Sequence, residues 1–236
     1  MNNQKETIRK FVNYINNPDQ LGGFWLPNIQ RPFVWSEEQI ERLYDSILRE
    51  YPIGTLLVWK NNSSIKHRKF IDNYKADLRL LDFFVPINNN QKMLVLDGQQ
   101  RMQSLYIGLK GSYEGKELYF NVLSGDLKAP DDRRYEFKFL LANPGFPWIK
   151  FNTIVFPDKR NKEFKQEIIL IAGRTITGLE DDRIEENIEL VRNVFCLQEN
   201  ILYQEVDSID RPSAYKEDDI VEIFIRANSG GTRLDK

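Results

Sequence analysis

A short polar segment between an apolar run and an amphipathic stretch carries the residues best suited to chemistry. It reads Asp97-Gly98-Gln99-Gln100-Arg101 and directly follows Met93-Leu94-Val95-Leu96. A strand, a tight turn and a helix start in this order can hold phosphate, because glycine lets backbone amides approach and a helix N-terminus is partly positive. Arg101 could bind phosphate oxygens from the first helical turn. Asp97 could hold Mg²⁺ through water or orient an attacking water.

An ordinary turn followed by a solvated helix face has the same composition, so the pattern alone leaves both interpretations open. The chain contains no G-x-x-x-x-G-K-[ST] sequence. A nucleotide-binding role for this segment would therefore not be that of a P-loop enzyme.

Two further segments could contribute to a site. In Gln30-Arg31-Pro32-Phe33-Val34-Trp35, Pro32 fixes the backbone after Arg31 and the aromatic rings can anchor the segment; alternatively, the Arg31 stem packs over Trp35. The second segment runs from Phe224 to Thr232 and includes Arg226 and Asn228. Its Ser-Gly-Gly-Thr end suits close contact with a ligand, but a helix C-cap explains it equally well.

Apolar periodicity predicts the elements that must position these segments. Amphipathic helices are predicted over 5–17, 37–50, 99–109, 160–172, 181–197 and 217–227. Strands are predicted over 53–59, 93–96, 118–123, 135–141 and 202–206, the third and fourth as an antiparallel pair. Helices and strands do not alternate regularly, so we expect an α+β fold, with residues 1–236 forming a single domain.

Composition excludes several classes of protein. With one cysteine, Cys196, no internal disulfide can form, and we interpret this residue as a small buried hydrophobe. With one histidine, His67, neither a zinc finger nor a His-based nuclease is expected; Lys66-His67-Arg68-Lys69 is interpreted as a solvated basic turn. The first ten residues contain no apolar signal core, and no apolar run approaches the roughly 20 residues of a membrane span, so we expect a cytoplasmic protein.

The three segments, together with a turn at Tyr51 to Gly54, resemble one known family. Gln30 to Trp35, Tyr51-Pro52-Ile53-Gly54, Asp97 to Arg101 and Phe224 to Leu234 occur in this order. In this the chain is similar to the N-terminal ParB/sulfiredoxin-like domain of GmrSD-type modification-dependent restriction enzymes and related anti-phage proteins. The likeness runs from about residue 20 to the end.

The resemblance implies an α+β, ParB/sulfiredoxin-like core with additional helices. It also implies binding and hydrolysis of a nucleoside triphosphate (GTP, ATP, CTP or UTP) with Mg²⁺, which controls cleavage of modified foreign DNA. The matching positions are Gln30, Arg31, Asp97, Gln99, Gln100, Arg101, Arg226 and Asn228, with Gly98 in the turn. On this basis Asp97 is the expected catalytic or metal-orienting residue, Arg31 and Arg101 the phosphate clamps, and Gln99 or Gln100 the residue that positions water.

Full-length members of the family continue into a His-Asn-His-type nuclease domain. The sequence in hand ends at Lys236, and His67 cannot replace that site, so we expect no nuclease activity from these residues alone. The nuclease would belong to the same longer chain or to a separate subunit, and self-association is left open.

Two other functions compete with nucleotide hydrolysis. The first is a non-catalytic, ParB-like DNA-binding module, in which Lys66 to Lys69 or Lys159-Arg160 contact phosphates, although a net charge of −2 gives it no support. The second is a sulfiredoxin-like oxidoreductase, which requires a reactive cysteine; Cys196 lies in an apolar stretch far from the motifs.

Overall fold

Strands and helices are mixed along the chain in the computed structural model. The structure describes residues 2–28, 32–126, 133–212, 215 and 217–229, except for the side chains at 217, 228 and 229. The strands are β1 Asn2–Glu6, β2 Phe24–Pro27, β3 Leu56–Asn61, β4 His67–Arg68, β5 Asn73–Tyr74, β6 Lys92–Asp97, β7 Ser112–Tyr113, β8 Glu117–Asn121, β9 Phe137–Leu140, β10 Trp148–Lys150 and β11 Ile201–Asp207. The helices are α1 Ile8–Tyr14, α2 Glu37–Leu48, α3 Gln99–Lys110, α4 Phe151–Val155, α5 Asn161–Ala172, α6 Gly178–Arg192 and α7 Glu217–Ser229.

The main sheet has six strands in the order β1-β11-β3-β6-β2-β4. β2 and β6 are parallel, and β3 is antiparallel to β6, with Leu57 opposite Asp97. The carboxyl ends of β2 and β6 and the start of β3 therefore lie at one end of the sheet, which we call the motif end. Both of the first two motifs follow a strand that finishes there.

The two faces of the sheet are covered by different helices. Because side chains alternate along a strand, β6 sends Met93 and Val95 into the large core shared with α1, α2 and α3. Leu94 and Leu96 point the other way, into a smaller cluster with Ile220 of α7. A three-stranded sheet, β10-β8-β9, extends the large core and packs β9 against α2.

The predicted α+β class is confirmed, and most predicted elements are present. The helix predicted over 37–50 is α2, and Ser36 and Gln39 form the capping box at its start. The prediction over 5–17 was wrong at its first residues, because residues 2–6 pair with β11 as an edge strand and the helix begins only at Ile8. A ParB/sulfiredoxin-like core remains a prediction.

None of the described helices is both long enough and apolar enough to span a membrane.

The interpretation of Lys66 to Lys69 as a solvated turn was wrong for its two central residues. His67 is 1% exposed and Arg68 is 3% exposed, because both form β4 and pair with β2, Arg68 opposite Leu26. His67 Nδ1 donates to the Ile65 carbonyl at 2.9 Å, and its ring packs edge-on against Trp25. Burial lowers the pKa of His67 by more than the bond to the Ile65 carbonyl raises it, and the Lys92 ammonium lowers it further, so the imidazole is neutral at pH 7 in the folded protein.

This buried histidine predicts a pH dependence of stability. The unfolded chain binds a proton at the ordinary histidine pKa of about 6.5, whereas the folded chain resists protonation until a lower pH. We expect the free energy of unfolding to fall as the pH decreases from about 7 to 5.5, and His67→Asn to flatten that slope. Urea denaturation of both proteins at four pH values measures it. Because the chain has a single histidine, equal slopes would contradict the neutral, buried state.

Candidate functional site

The turn between β6 and α3 forms the centre of the candidate site. Asp97 is the last residue of β6, and its side chain is 43% exposed at the motif end. Gly98 is the N-cap of α3 with φ 85°, in the left-handed region. A Cβ atom at Gly98 would collide with the Leu56 side chain, so both the conformation and the packing require glycine.

The start of α3 can receive an anion. This 12-residue helix has no side chain bonded to its first amides within the part of the chain that the structure describes. Unpaired N–H groups and the helix dipole favour negative charge at such a start. Asp97, next to this helix start, is a carboxylate that could share a cation with a bound anion.

Arg101 points back across the turn toward the start of β3. Its guanidinium donates to the Ile53 carbonyl, and to the Thr55 carbonyl at 3.3 Å. Its Nη2 lies 3.8 Å from Asp97 Oδ2, and only 22% of the side chain is exposed. Burial lowers the pKa of Arg101, and the Asp97 carboxylate opposes that shift. Arg101 therefore ties the turn before β3 to α3.

Gly54 makes room for this guanidinium. It has φ 80°, and a Cβ atom there would collide with Arg101 Nη1. The sequence motif Tyr51-Pro52-Ile53-Gly54 carried no predicted role; the structure shows it as the receptor for Arg101. The glycine after Pro-Ile was the available signal, since a glycine inside a turn often marks a close approach.

Gln100 joins the first two motifs directly. Its Oε1 accepts from the Val34 backbone N–H at 3.1 Å, and its Nε2 donates to the Pro32 carbonyl at 3.1 Å. The segment after Arg31 is thus fixed to the first turn of α3. Gln30 and Arg31 themselves lie outside the described residues.

Gln99 faces the interior. It is buried, and its Nε2 donates to the Val95 carbonyl at 2.5 Å. Gln103, one turn later on the same face, bonds both the N–H and the carbonyl of Ile71. Gln103 was not among the predicted site residues, although glutamines four residues apart among core positions indicate that α3 buries paired amides.

Of the third motif, the structure places the first residues on α7. Ile220 is buried and Phe224 half-buried against Leu94 and Leu96 of β6, on the face of the sheet opposite α3. Arg226 is exposed and forms an ion pair with Glu222. The Asn228 side chain and residues 230–236 lie outside the described part.

A cavity of about 340 Å³ lies between α7 and the sheet. Three of its lining residues are close in sequence to the motifs. Leu96 directly precedes Asp97 of the second motif, Asn28 lies two residues before Gln30, and Phe224 is the first residue of the third motif. Its lining comprises Pro27, Asn28, Trp59, Ile65, Lys66, Leu94, Leu96, Asp218, Ile220, Val221 and Phe224. Among the described residues of the three motifs, Phe224 alone lines this cavity.

No group of three or more acidic, histidine or cysteine side chains that could hold a metal occurs among the described residues. A dedicated protein cage is thus not found there. Mg²⁺ bound with a nucleotide commonly uses one or two carboxylates together with phosphate oxygens and water, and the half-exposed Asp97 fits that pattern.

Cys196 is half-buried against the large core, where its Sγ contacts the Val155 carbonyl at 3.3 Å. Burial raises the pKa of this thiol. A raised pKa disfavours the thiolate that redox chemistry needs, and this environment is that of a structural cysteine.

Comparison with known proteins gives two findings. A family model described as the GmrSD restriction endonuclease, N-terminal domain, matches residues 8–236. The chain is also similar to the Uncharacterized protein MJ0686 of Methanocaldococcus jannaschii, with 36% identity over 84 residues. That alignment covers 36% of this chain and 14% of the relative, so the chain spans only a small part of it.

The tether between Arg101 and the turn predicts a specific energetic coupling. Gly54→Ala should lower the free energy of unfolding by about 2–3 kcal/mol, because the left-handed conformation costs roughly 1–2 kcal/mol and the new Cβ displaces the guanidinium. In an Arg101→Ala background the steric part should vanish, giving a coupling energy above about 0.5 kcal/mol in urea denaturation.

Gly115→Ala is the matched control for this cycle. Gly115 also has a left-handed backbone, φ 76°, but a Cβ there meets nothing within 4 Å. Gly115→Ala should lower the free energy of unfolding by the same amount with or without Arg101. If the effects of Gly54→Ala and Arg101→Ala on the free energy of unfolding are also additive, the guanidinium does not occupy the turn.

Proposed function

Because the chain belongs to the family of GmrSD restriction endonuclease N-terminal domains, we propose that it binds a nucleoside triphosphate with Mg²⁺ at the motif end and hydrolyses it. The observation that supports this most is the junction made by Gln100, which holds the segment after Arg31 against the start of α3, beside the half-exposed Asp97. An anion-receptive helix start, a carboxylate and a nearby cationic segment are the parts that phosphoryl transfer requires.

The phosphates occupy the first turn of α3 in this proposal. Backbone amides after Gly98 donate to phosphate oxygens, and the glycine leaves the approach open. Asp97 orients the attacking water or holds the cation. Mg²⁺, when bound, supplies the charge that offsets the negative charge of the phosphates.

The arginines divide into two roles. Arg101 is a positioning residue, because its donors are directed to the Ile53 and Thr55 carbonyls. Gln100 holds the segment that follows Arg31, through the Pro32 carbonyl and the Val34 N–H. We therefore assign the phosphate contacts to Arg31, together with Arg226 and Asn228 of the third motif.

The glutamines divide in the same way. Gln99 supports the turn from inside the core through the Val95 carbonyl. Gln100 holds the first motif through the Pro32 carbonyl and the Val34 N–H. A water-positioning role for either glutamine stays a prediction. Phosphoryl transfer depends mainly on positioned charge, and residues that fix the position of charged groups are part of that function.

The hydrolysis would act as a switch within a DNA restriction or anti-phage system. The partner is a nuclease domain or subunit, and DNA is contacted through the complete system. The alternative of a non-catalytic DNA-binding module loses part of its basis, because His67 and Arg68 are buried and unavailable to phosphates.

The first test is Asp97→Asn. We expect phosphate release with GTP, ATP, CTP or UTP and Mg²⁺ to fall by about 100-fold or more, since the variant loses the charge that orients water or metal. Asp182→Asn, an exposed acid on α6, is the matched control and should keep full activity. Removing Mg²⁺ with a chelator should abolish release by the unaltered protein.

Two results would contradict the proposal. One is the absence of phosphate release by the unaltered protein with all four nucleotides and Mg²⁺. The other is unchanged release by Asp97→Asn, which would place the chemistry away from the motif end.

A further inference from the structure

The cavity between α7 and the sheet has the character of a site for a flat apolar group. Its floor consists of buried side chains, Trp59, Leu94, Leu96 and Ile220. Exposed polar groups occur only at Asn28, Lys66 and Asp218 within the described lining. Apolar walls with a few polar groups are typical of pockets that bind small organic ligands, and about 340 Å³ falls within their usual size range.

The same walls exclude a triphosphate. Moving several negative charges against Leu94, Leu96 and Ile220 would cost far more than one lysine could offset. An aromatic heterocycle, in contrast, gains from contact with Trp59 and Phe224 and can direct its polar edge toward the three polar groups of the rim.

The position of the cavity links it to the motif end. Leu96 of the floor precedes Asp97 in β6, and Asn28 of the rim lies two residues before Gln30. Alternation along β6 places Leu96 and Asp97 on opposite faces, so a ligand that reaches both must cross the carboxyl ends of β2 and β6. That is where ligands bind in open sheets with parallel strands.

We propose that this cavity receives the nucleobase of the nucleoside triphosphate, an inference that rests on the proposed function. The base lies between α7 and the sheet, and the phosphates extend over the motif end to α3. α7 forms one wall of this site, and Phe224, the first residue of the third motif, contacts the base.

The test fills the cavity from its rim. Val221 lines the cavity and is 50% exposed, so Val221→Trp can place an indole in the cavity without removing a core side chain. Ile225→Trp is the matched control: it lies one turn later on α7, is 56% exposed and does not line the cavity. Calorimetry measures binding of non-hydrolysable analogues of ATP, GTP, CTP and UTP, and of inorganic tripolyphosphate, each with Mg²⁺.

We expect Val221→Trp to weaken binding of the preferred nucleotide analogue at least tenfold. Its affinity for tripolyphosphate should stay within twofold of that of the unaltered protein. Ile225→Trp should change neither. Val221→Phe, a smaller filling, should give an intermediate loss, and thermal unfolding confirms that all variants fold.

Two outcomes overturn the cavity assignment alone. In the first, Val221→Trp binds the analogues as the unaltered protein does. In the second, it loses tripolyphosphate as strongly as nucleotide. If the unaltered protein binds neither nucleotide nor tripolyphosphate, the proposed function fails and the base site fails with it.

Discussion

The first turn of α3 holds two other parts of the chain in place, and the geometry of the motif end depends on that. Gln100 bonds the backbone on both sides of Phe33, while Arg101 reaches in the other direction to the Ile53 and Thr55 carbonyls. Hydrogen bonds from a charged donor contribute about 1.5–3 kcal/mol each and those from a neutral amide about half as much. They add to the apolar contacts that Phe33 and Ile53 make with the large core. These bonds require Gly98 and Gly54, since a side chain at either position would collide with Leu56 or Arg101.

The mixed directions of the central sheet explain why these loops meet. β2 and β6 run parallel, so the first and second motifs leave the sheet at the same end. β3 runs against β6, so the Ile53-Gly54 turn enters there. Strand direction thus brings the first motif, the Ile53-Gly54 turn and the second motif to one end of the sheet before any side chain acts. Phe224, the first residue of the third motif, packs from α7 on the opposite face.

Sequence reasoning was accurate where local rules decide the structure and weaker where distant pairing does. The Ser36 capping box, the span of α3 and its end at Gly111 follow from residues close in the chain. The burial of His67 and Arg68 depends on pairing with β2, some forty residues away, and a basic tetrapeptide gives no sign of that. The hydrogen-bond partners of Arg101 could not be predicted either. The position of a residue in a helix predicts the face on which its side chain lies, but not which distant loop packs against that face.

The assignment of Arg101 changes which residues can hold phosphate. A guanidinium that satisfies two backbone carbonyls and is mostly buried would have to leave both to grip a nucleotide, exposing those carbonyls and Gly54. That exchange costs the hydrogen bonds it breaks. For the proposed nucleotide site, preorganisation therefore favours a division in which α3 supplies backbone amides and Arg101 stays with the turn before β3.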